Sequence, residues 1–600
     1  IQWMIDNDKI EKDYLSRPNQ TSASNGGYKN WTDATYLVRL DTKTKKYLTG
    51  DEAGIGTSDY VVSVNGTPTK YDEVTGTADL EVDTTVNGIP VKSVFTLLKE
   101  SANEHTIAEY ESICGVESGT ISTIASEFAN AQRPATDSYK SGAQHANGFY
   151  TTRAILMLNI LRGMVDRKGG ISPGGGSYHG SKPAHPTKVD KKGVPIDRHK
   201  VAYQGTKPKP TRPWYPLAGH GVQQEIFPSI KMGYPYKVKA VLLYYSNPAY
   251  SMPYAQTVRE VLQDTKAIPL LISIDAFVNE SNMYADYILP DTTYLERWSI
   301  GHLAPHIKTK GTYIRQPVVG TIDPVTHDYT PINPDTKTME DIHIMIAKKL
   351  GLPNFGKDGM GTGKDLNKAW DYYNEYLNGG EFSGGLDPNT EHMMMAGKFE
   401  NPNNRYDGDW MKHPYGKLIT IYSEEAAITK HSMTKEYFSG VAKYEPIKDS
   451  NGNELKDDDY PFIVITHKPV YHTQSRTAEN LWLMMLEPKN FVEINSKDAE
   501  KIGVKTGDYV RITSPSNPTG VLDPTGRDKV KVKVSEHIRE GVVDISHSFG
   551  HWAMGSSPYY VDGKSSGSDE RKGRGYRMTE LMRADPVLKD VCLTDPIGGS

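Results

Sequence analysis

The feature that most constrains the fold is a strand–helix–strand segment near the middle of the chain. Residues 236–250, YKVKAVLLYYSNPAY, form an apolar run that ends at a turn. Residues 254–265 have the spacing of an amphipathic helix, and residues 267–277, AIPLLISIDAF, form a second apolar run. Apolar runs without alternation are typical of parallel strands buried on both faces. The segment therefore predicts a βαβ unit, whose ligands would bind at the carboxyl ends of the strands, beside Asn247 and Asp275.

Length and composition exclude several classes of protein. A chain of 600 residues is long enough for several domains. The net charge of −5 comes from interspersed acidic and basic residues, so the chain lacks the basic surface of a nucleic-acid-binding protein. No run approaches the ~18 apolar residues of a membrane span. The first residues lack the apolar core of a signal peptide, and the chain does not begin with Met, which is consistent with a processed or truncated piece.

The two cysteines, Cys114 and Cys592, are too few for a cysteine-ligated iron–sulfur cluster or a Cys-type zinc site within this chain. They could form a disulfide or remain two independent buried thiols, and we favour the second interpretation. Cysteine usage therefore does not decide the cellular compartment.

The carboxyl-terminal quarter has a different character. Four short strands are predicted, YPFIVIT, GDYVRITSP, DKVKVKVSE and GVVDISHS, with one short helix in SKDAEKIGVKTGD. Many short strands with few helices indicate a closed or nearly closed β-barrel. The predicted organisation is the end of an α/β cofactor domain with an insert (1–110), an interleaved Rossmann-like α/β cofactor domain (111–350), a loop-rich connection (351–455) and a barrel domain (456–600).

The turn after the first strand of the βαβ unit lacks the G-x-G-x-x-G dinucleotide fingerprint, which disfavours ordinary NAD binding. Asn247 and Pro248 form a rigid turn that can present backbone and side-chain amides, and Asp275 can accept hydrogen bonds from ribose or guanine. Both could equally be simple turn formers.

A second polar group follows the strand YPFIVIT. Residues 472–477, HTQSRT, together with Thr466, His467 and Lys468, supply hydroxyl, imidazole, amide and guanidinium groups. These groups suit phosphates and pterin-like heterocycles. The alternative is a solvated loop.

Two histidine-containing segments remain. Residues 546–556, SHSFGHWAMGS, place His547, His551 and Trp552 around Phe549, but no third ligand lies nearby, which disfavours zinc. Gln144 and His145 precede a helix that is apolar on nearly every face. His145 is either a structural histidine or one that faces a ligand, and we favour the second.

In this order, the segments resemble the molybdopterin oxidoreductase (dimethyl sulfoxide reductase) superfamily. The resemblance rests on the Gln144–Gly148 loop before LNILRG, on the Ser-Asn-Pro turn, on YADYILPDTTYLER and on NSKDAEKIGVKTGDYVRITSP. It implies an α/β fold with a parallel sheet, followed by a double-psi-type β-barrel. Four motifs in the family's order are a specific signal.

Within the superfamily, segments such as NWTDATYLVRL, QHANGFYTTRAILMLNILRG and LTDPIGGS are most similar to tetrathionate reductase catalytic subunits. The resemblance implies anaerobic respiratory cleavage of tetrathionate to two thiosulfates by two electrons. Respiratory arsenate reductase and thiosulfate or polysulfide reductase are the alternatives. The family's amino-terminal part, with cysteines for a [4Fe-4S] cluster and a cysteine ligand to molybdenum, is absent, so we expect the chain to be the carboxyl-terminal portion of a larger subunit or to be completed by another chain.

The implied cofactor is molybdenum, or tungsten, bis(molybdopterin guanine dinucleotide), with no metal ligand in this chain and the [4Fe-4S] cluster in the missing part. The implied catalytic residues are His145, Arg476, His551 and Lys468. The implied cofactor-binding residues are Ser141, Gly142, Gln144, His145, Asn147, Asn247, Pro248, Asp275, Asp286, Thr466, His467, His472, Thr473, Gln474, Ser475, Arg476, His547, Phe549 and Trp552.

The implied partners are an iron–sulfur electron-transfer subunit, a membrane quinol-oxidising subunit and a small oxyanion substrate, with no nucleic acid. The complex would lie in the periplasm or outside the cytoplasmic membrane, attached through its partners. A hypothesis of another class is a non-catalytic cofactor-binding or assembly module. An upstream reading frame with a cysteine cluster motif would favour the enzyme.

Overall fold

The computed structural model describes residues 1–138, 147–172, 177–179, 223–234, 236–302, 311–377, 398–399, 403, 405–412, 417–430, 434–449, 451–455, 459–478, 480–554, 560–561, 563–565, 575–584 and 590. The chain forms two compact units. The first contains residues 1–183, 298–315 and 373–447, and the second contains residues 184–297, 316–372 and 448–600. The domain boundaries expected from the sequence remain predictions.

The helices of the described residues are, in chain order, α1 (Gln2–Asp6), α2 (Lys12–Leu15), α3 (Gln20–Asn25), α4 (Gly50–Ala53), α5 (Val94–Ala102), α6 (Ile107–Cys114), α7 (Thr120–Asn130), α8 (Gly148–Leu161), α9 (Ile226–Met232), α10 (Pro248–Ser251), α11 (Gln256–Gln263), α12 (Met339–Leu350), α13 (Ala369–Leu377), α14 (Glu424–Ile428), α15 (Leu481–Leu486) and α16 (Ser496–Ile502). Among these helices, none is long and apolar enough to cross a lipid bilayer.

The strands of the described residues are β1 (Trp31–Thr32), β2 (Leu37–Arg39), β3 (Val61–Val64), β4 (Thr67–Lys70), β5 (Asp83–Val86), β6 (Ile89–Ser93), β7 (Val241–Tyr244), β8 (Leu271–Asp275), β9 (Tyr287–Pro290), β10 (Ser299–His302), β11 (Gly311–Arg315), β12 (Thr321–Ile322), β13 (Tyr329–Thr330), β14 (Lys398–Phe399), β15 (Tyr406–Asp407), β16 (Trp410–Met411), β17 (Leu418–Ile419), β18 (Ile463–Ile465), β19 (Val492–Ile494), β20 (Tyr509–Val510), β21 (Val530–Val534), β22 (Val542–Ile545), β23 (Tyr560–Val561) and β24 (Lys564–Ser565).

The first unit packs helices against a small antiparallel sheet of order β2–β6–β5. Its core includes Tyr36, Phe95 and Leu161. The amino-terminal residues, which the sequence predicts as one amphipathic helix, form α1 and α2 instead, because Asp8 adopts a left-handed backbone conformation with φ 56°. The Asn-Gly pair between alternating apolar residues in YVVSVNGTPTKYD predicts a hairpin, and the antiparallel pair β3–β4 confirms it.

The sequence of residues 104–131 predicts two short helices joined at Gly115, and α6 and α7 confirm them. Cys114, the last residue of α6, is exposed and not buried as expected. The Thr106 hydroxyl accepts from the Glu109 backbone N–H while the Glu109 carboxylate accepts from Thr106, which is a capping box. Gly115 ends α6 with φ 61°, a conformation that glycine adopts without a Cβ penalty.

The second unit contains the predicted βαβ unit. Strands β7, β8 and β9 form a parallel sheet, with Val241 opposite Leu271 and Ile272 opposite Tyr287. Helix α11 connects β7 to β8 and buries Val258 and Val261 against them. The structure thus confirms the parallel α/β arrangement and brings the carboxyl ends of β7 and β8 side by side.

Farther along the second unit lies a five-stranded mixed sheet of order β18–β22–β19–β21–β20. β18 pairs with β22 and β19 with β21 in parallel, whereas β19–β22 and β20–β21 are antiparallel. Its core includes Val492, Val532 and Ile545. The mixed sheet agrees with the predicted strand-rich region, and its closure as a double-psi barrel stays a prediction.

Candidate functional site

A cavity of about 1070 Å³ opens at the carboxyl ends of β7 and β8 in the second unit. Its walls are the turns after these two strands, residues 293–294, the 3-10 helix Gln474–Thr477 and part of α15. This volume is at the upper end of the range of ligand cavities in proteins, ~300–1000 Å³. The cavity therefore lies where a parallel sheet is expected to bind its ligand.

Two residues of the cavity wall have left-handed backbone conformations that side chains disfavour. Tyr245, directly after β7, has φ 46°, and Gln474 has φ 53°. Such conformations cost roughly 1–3 kcal/mol each and are concentrated at ligand sites. The wall is thus shaped by backbone geometry that the surrounding structure imposes.

Asn247 occupies the N-cap position of α10, with Pro248 as the first helical residue. Its Nδ2 donates to Glu280 Oε2 at 2.6 Å, and its Oδ1 accepts from Ser281 Oγ at 2.9 Å. Both contacts fix the side chain at the cavity wall. Pro248 is buried, and proline suits the first position of a helix because no hydrogen bond from its nitrogen is needed there.

Asp275 ends β8 and also lines the cavity. Its carboxylate accepts from the Phe277 backbone N–H at 3.2 Å and from Asn279 Nδ2 at 3.0 Å. Burial raises the pKa of Asp275 to about 6, so the carboxylate is ionised at neutral pH. It can therefore accept hydrogen bonds from a bound group.

Glu280 is fully buried beside the cavity and joins two of its walls. Oε1 accepts from the backbone N–H groups of residues 552–554 at 2.9 to 3.2 Å and from His551 Nδ1 at 3.0 Å, while Oε2 accepts from Asn247. Burial opposes ionisation of Glu280, but His551 and the N–H donors outweigh it and hold its pKa below the usual range. An ionised, buried carboxylate with several hydrogen-bond donors thus fixes the turn after β7 to residues 551–554.

His551 and Trp552, predicted as site residues, lie behind the cavity wall. His551 is 3% exposed and stacks on Tyr250 at 3.9 Å, and its Nε2 has no hydrogen-bond partner among the described residues. Trp552 packs with Tyr250 in the same buried cluster. Phe549 is also buried, and its carbonyl oxygen accepts from Tyr250 Oη at 2.6 Å. These three residues support the cavity wall from behind, and none of their side chains lines the cavity.

The opposite wall is the polar segment 473–477. Thr473, Gln474, Ser475 and Arg476 all line the cavity. The Arg476 side chain is exposed to it and has no ion-pair partner among the described residues. An unpaired guanidinium beside two hydroxyl groups is suited to an anionic group such as a phosphate.

The remaining predicted residues of this segment support one another. His472 is buried, with Nε2 2.8 Å from the Glu487 carbonyl oxygen and Nδ1 3.0 Å from Thr477 Oγ1. Lys468 Nζ donates to two backbone carbonyl oxygens, those of Pro469 and His472, at 3.2 Å. Neither side chain lines the cavity.

A third predicted group lies at the end of β18. His467 Nδ1 is 2.7 Å from the Asp544 carboxylate, and His547 Nδ1 is 3.1 Å from Thr466 Oγ1. Burial, then His467 and Lys468, lower the pKa of His547, so its imidazole is neutral at neutral pH. The buried His547 Nε2 has no partner among the described residues, which leaves one donor or acceptor available.

Two predicted residues lie elsewhere. Asp286 accepts from the backbone N–H of Leu271, at the amino end of β8, and so lies at the opposite end of that strand from Asp275. Asn147 belongs to the first unit, where its Nδ2 donates to the Glu445 carbonyl oxygen at 2.9 Å. Ser141, Gly142, Gln144 and His145 lie outside the described residues.

The structure also adds residues that sequence reasoning missed, namely Tyr245, Asn279, Glu280 and Met554. Asn279 and Glu280 follow Asp275 within a few residues, so their position after a strand was the available signal. No sequence signal joins Glu280 to residues 551–554. The described residues contain no group of three or more His, Cys, Asp or Glu side chains able to hold a metal ion.

Comparison with known proteins identifies this architecture. A sequence model described as Molybdopterin oxidoreductase matches residues 103–301, and one described as Molydopterin dinucleotide binding domain matches residues 462–569. The chain belongs to the molybdopterin oxidoreductase family. These two matches include the two facing walls of the cavity, and they confirm the predicted cofactor, a bis(molybdopterin guanine dinucleotide).

Two curated relatives cover nearly the whole chain. A selenate reductase subunit of Mesobacillus selenatarsenatis is 36% identical over 100% of this chain, and a tetrathionate reductase subunit of Salmonella typhimurium is 30% identical over 98% of it. This family member spans 63% of the length of each relative. The structure of acetylene hydratase from Pelobacter acetylenicus has the same fold, with a TM-score of 0.55 and 19% identity over 76% of this chain and 59% of that one.

The residues around the cavity fit a guanine dinucleotide in their chemistry. One wall carries ionised Asp275 and the Asn247 amide, which can pair with a base or ribose, and the other carries Arg476 and two hydroxyl groups, which can pair with phosphates. The cavity is also large enough for a nucleotide-sized group.

Proposed function

We propose that this chain is the cofactor-binding part of the catalytic subunit of a respiratory oxyanion reductase. The observation that supports the proposal most is the pairing of an ionised carboxylate wall with an unpaired arginine wall across one cavity. The group bound there would supply two-electron redox chemistry at molybdenum, or tungsten.

The chain's own residues would bind and orient that group. Asp275 would accept hydrogen bonds from the guanine or ribose, and Asn247 would donate to them. Asn279 would hold Asp275 in position. Ser281 and Glu280 would hold Asn247. Thr473, Ser475 and Arg476 would bind the phosphates. His547, with its unpartnered Nε2 and neutral ring, would contact the cofactor from the strand end, as would Thr466.

The proposed substrates are oxyanions of selenium or sulfur. Selenate is the first candidate, because 36% identity to a relative named for selenate extends over the whole of this chain. Tetrathionate, the substrate expected from the sequence, is the second, supported by 30% identity to a relative named for tetrathionate. Selenate reduction takes two electrons and two protons and gives selenite and water, whereas tetrathionate takes two electrons and gives two thiosulfates. Both substrates are dianions, so a site that binds either of them needs positively charged groups.

Other parts of the proposal concern the assembly. Both relatives are named as one subunit of a reductase. We propose that the chain works outside the cytoplasmic membrane with two partners, an iron–sulfur electron-transfer subunit and a membrane quinol-oxidising subunit that attaches the complex to the membrane. A [4Fe-4S] cluster would belong to the part of the family's length that this chain does not span. The five-stranded sheet would complete a double-psi barrel, and the domain boundaries predicted from the sequence would hold for this chain.

The test is oxidation of reduced viologen by the full-length subunit, with selenate, tetrathionate, arsenate and thiosulfate as separate oxidants. We expect the turnover number divided by KM to be highest for selenate. A preference for tetrathionate would leave the cofactor proposal intact and select the second candidate. Protein that contains the cofactor but reduces none of the four oxyanions would contradict the proposed function and favour a non-catalytic cofactor-binding module.

Variants of Arg476 make the test specific to this site. Arg476→Gln removes the charge at nearly the same size, and we expect turnover divided by KM to fall by about 10- to 100-fold, the cost of about 1.5–3 kcal/mol for a charge-assisted hydrogen bond. Arg511→Gln is the matched control, because Arg511 is an exposed arginine paired with Asp528 away from the cavity.

A further inference from the structure

Tyrosine rings of the first unit form one continuous cluster, which we call the tyrosine cluster and define as Tyr36, Tyr47, Tyr60, Tyr71 and Tyr422. Tyr47 lies at its centre, with its ring centroid 4.8 Å from that of Tyr60 and 5.3 Å from that of Tyr422. The Tyr36 centroid is 5.7 Å from that of Tyr47 and 5.2 Å from that of Tyr71. These separations are those of directly contacting aromatic rings. The five rings are therefore in contact from one end of the cluster to the other.

The tyrosine cluster extends from the core of the first unit towards its surface. Tyr36, Tyr47 and Tyr422 are buried, whereas Tyr60 and Tyr71 are half-buried. Tyr60 and Tyr71 also contact each other, with ring centroids 6.4 Å apart. Each buried phenol needs a hydrogen-bond partner for its hydroxyl, which phenylalanine would not need, so packing alone does not explain tyrosine at these positions.

The hydroxyl of Tyr47 donates to a carboxylate. Its Oη is 2.6 Å from Asp33 Oδ2 and 3.2 Å from the Tyr422 carbonyl oxygen. Asp33 is fully buried, and its carboxylate also accepts from the backbone N–H groups of Ile421 and Tyr422 at 2.7 and 3.0 Å. Burial raises the pKa of Asp33, so it takes up a proton more readily than an exposed carboxylate does. A base is thus already hydrogen-bonded to the Tyr47 phenol.

Other buried tyrosines of the first unit donate to neutral acceptors. The hydroxyls of Tyr36 and Tyr422 donate to backbone carbonyl oxygens. Tyr14, which is fully buried outside the tyrosine cluster, donates to Asn30 Oδ1 at 2.7 Å. A carbonyl or amide oxygen accepts a hydrogen bond but does not take up a proton at neutral pH. Tyr47 therefore differs from these tyrosines in the base that it contacts.

We propose that Tyr47 is a redox-active tyrosine, which loses one electron to an oxygen-derived radical while its phenolic proton passes to Asp33. A phenol that has lost an electron is a strong acid, so the oxidation needs an acceptor for the proton at the hydroxyl. The step gives a neutral Tyr47 radical, protonated Asp33 and an oxidant reduced by one electron.

The contacting rings then carry the oxidising equivalent towards solvent. When Tyr60 reduces the Tyr47 radical, Asp33 returns its proton to Tyr47, and Tyr60 releases its own proton to water. A soluble thiol ends the sequence by transferring a hydrogen atom to Tyr60. The tyrosine cluster thereby removes oxidising equivalents from the core before they modify side chains irreversibly, whichever oxyanion the protein reduces.

The test uses the full-length protein with its cofactor and with a fluorinated tyrosine at position 47 or, as the matched control, at position 14. A photogenerated ruthenium(III) polypyridine complex removes one electron, and the sample is frozen for EPR spectroscopy. Fluorine hyperfine splitting appears where the labelled ring carries the radical. Because a positioned base accelerates proton loss by about 10²–10⁴-fold, we expect the fluorinated radical at position 47 in at least about tenfold greater yield than at position 14.

The variant Asp33→Asn removes the base and leaves the tyrosine rings unchanged, so the fluorinated radical at position 47 should be lost. Its retention in Asp33→Asn would overturn the assignment of Asp33 as the proton acceptor. Equal radical yields at positions 47 and 14, or no fluorinated radical at either, would overturn the proposal as a whole. That comparison is made without Asp33→Asn and so does not depend on whether this variant folds.

Discussion

At the scale of single residues, Glu280 accepts hydrogen bonds from five different residues beside the cavity. One buried carboxylate accepts from three consecutive backbone N–H groups, from His551 and from Asn247. Removing one partner of a buried hydrogen-bonded charge pair costs about 3–5 kcal/mol, because the other partner remains buried and uncompensated. The cavity wall depends on this residue although the carboxylate does not line the cavity.

We predict that Glu280→Ala exposes the segment around residues 552–554 to hydrogen exchange. The amides of these residues lose their acceptor, and exchange should speed up by about 100-fold or more, which corresponds to about 3 kcal/mol. Glu280→Gln keeps an acceptor oxygen and should have a smaller effect, about 1–3 kcal/mol. Hydrogen–deuterium exchange with mass spectrometry measures both.

The control for Glu280 is Glu540→Ala, which removes an exposed ion pair with Lys497. Such pairs contribute at most about 1 kcal/mol, so exchange at residues 552–554 should not change. Equal protection of these residues in wild type and Glu280→Ala would show that Glu280 does not hold the wall.

Asp275 leads to a prediction about pH. Its pKa of about 6 in the folded protein lies above the ordinary value of about 3.9, so the folded state binds the proton more tightly. The wild type should therefore gain stability relative to Asp275→Asn as the pH falls from 8 to 5, by about 1.4 kcal/mol, and lose it as the pH rises through 6. Denaturant unfolding of cofactor-free protein at the two pH values measures this difference.

The same Asp275→Asn variant should bind the cofactor less well at neutral pH, because it loses an ionised acceptor. Asp286→Asn is the control, since Asp286 lies at the opposite end of β8. A lower molybdenum content for Asp286→Asn than for Asp275→Asn would contradict the placement of the cofactor at the cavity.

At the scale of elements, β22 is bounded by two glycines with different surroundings. Gly550, in the segment after β22, has φ 80°, and a Cβ there would clash with the Arg577 backbone nitrogen. Gly541, directly before β22, has φ 78° and nothing within 4 Å of a Cβ. The close approach at Gly550 brings residues 575–577 against the wall-supporting segment.

We predict that Gly550→Ala destabilises the protein more than Gly541→Ala. Both pay the left-handed backbone cost of about 1–2 kcal/mol, but only Gly550→Ala adds a backbone clash of about 1–3 kcal/mol. Thermal unfolding compares the two variants directly. Equal shifts in the melting temperature would mean that the segments can separate without cost.

Elements with a local signal could be predicted from the sequence. The unalternating apolar runs predicted β7 and β8 and hence the positions of Asn247 and Asp275 at adjacent strand ends. Asp286 was implied by the family resemblance and not by a local pattern; it precedes β9 and so lies at the amino end of the sheet, and its role in cofactor binding stays a prediction. In parallel strands, a residue that precedes a strand and a residue that follows it occupy opposite ends of the sheet.

Contacts between distant segments could not be predicted in the same way. The Glu280–His551 hydrogen bond joins residues 271 positions apart, and neither segment carries a pattern that names the other. The family resemblance implied a catalytic role for His551, which stays a prediction; in the structure its Nδ1 lies 3.0 Å from the Glu280 carboxylate. The roles predicted for the cavity residues stay predictions, which the Asp275 and Arg476 variants test.

At the scale of the whole molecule, the proposed cofactor site uses side chains of one compact unit, while the chain spans only part of its family's length. The two walls of the cavity come from segments about 200 residues apart, which the fold of the second unit brings together.

The measurement that tests the central claim most directly is the ratio of guanosine monophosphate to molybdenum, or tungsten, in purified full-length protein. Acid hydrolysis releases the nucleotide from the dinucleotide cofactor for chromatography, and mass spectrometry gives the metal. We predict two nucleotides per metal atom in wild type, and loss of both in a double variant, Asp275→Asn with Arg476→Gln. Nucleotide and metal retained at wild-type levels in that variant would contradict the placement of the cofactor in this cavity.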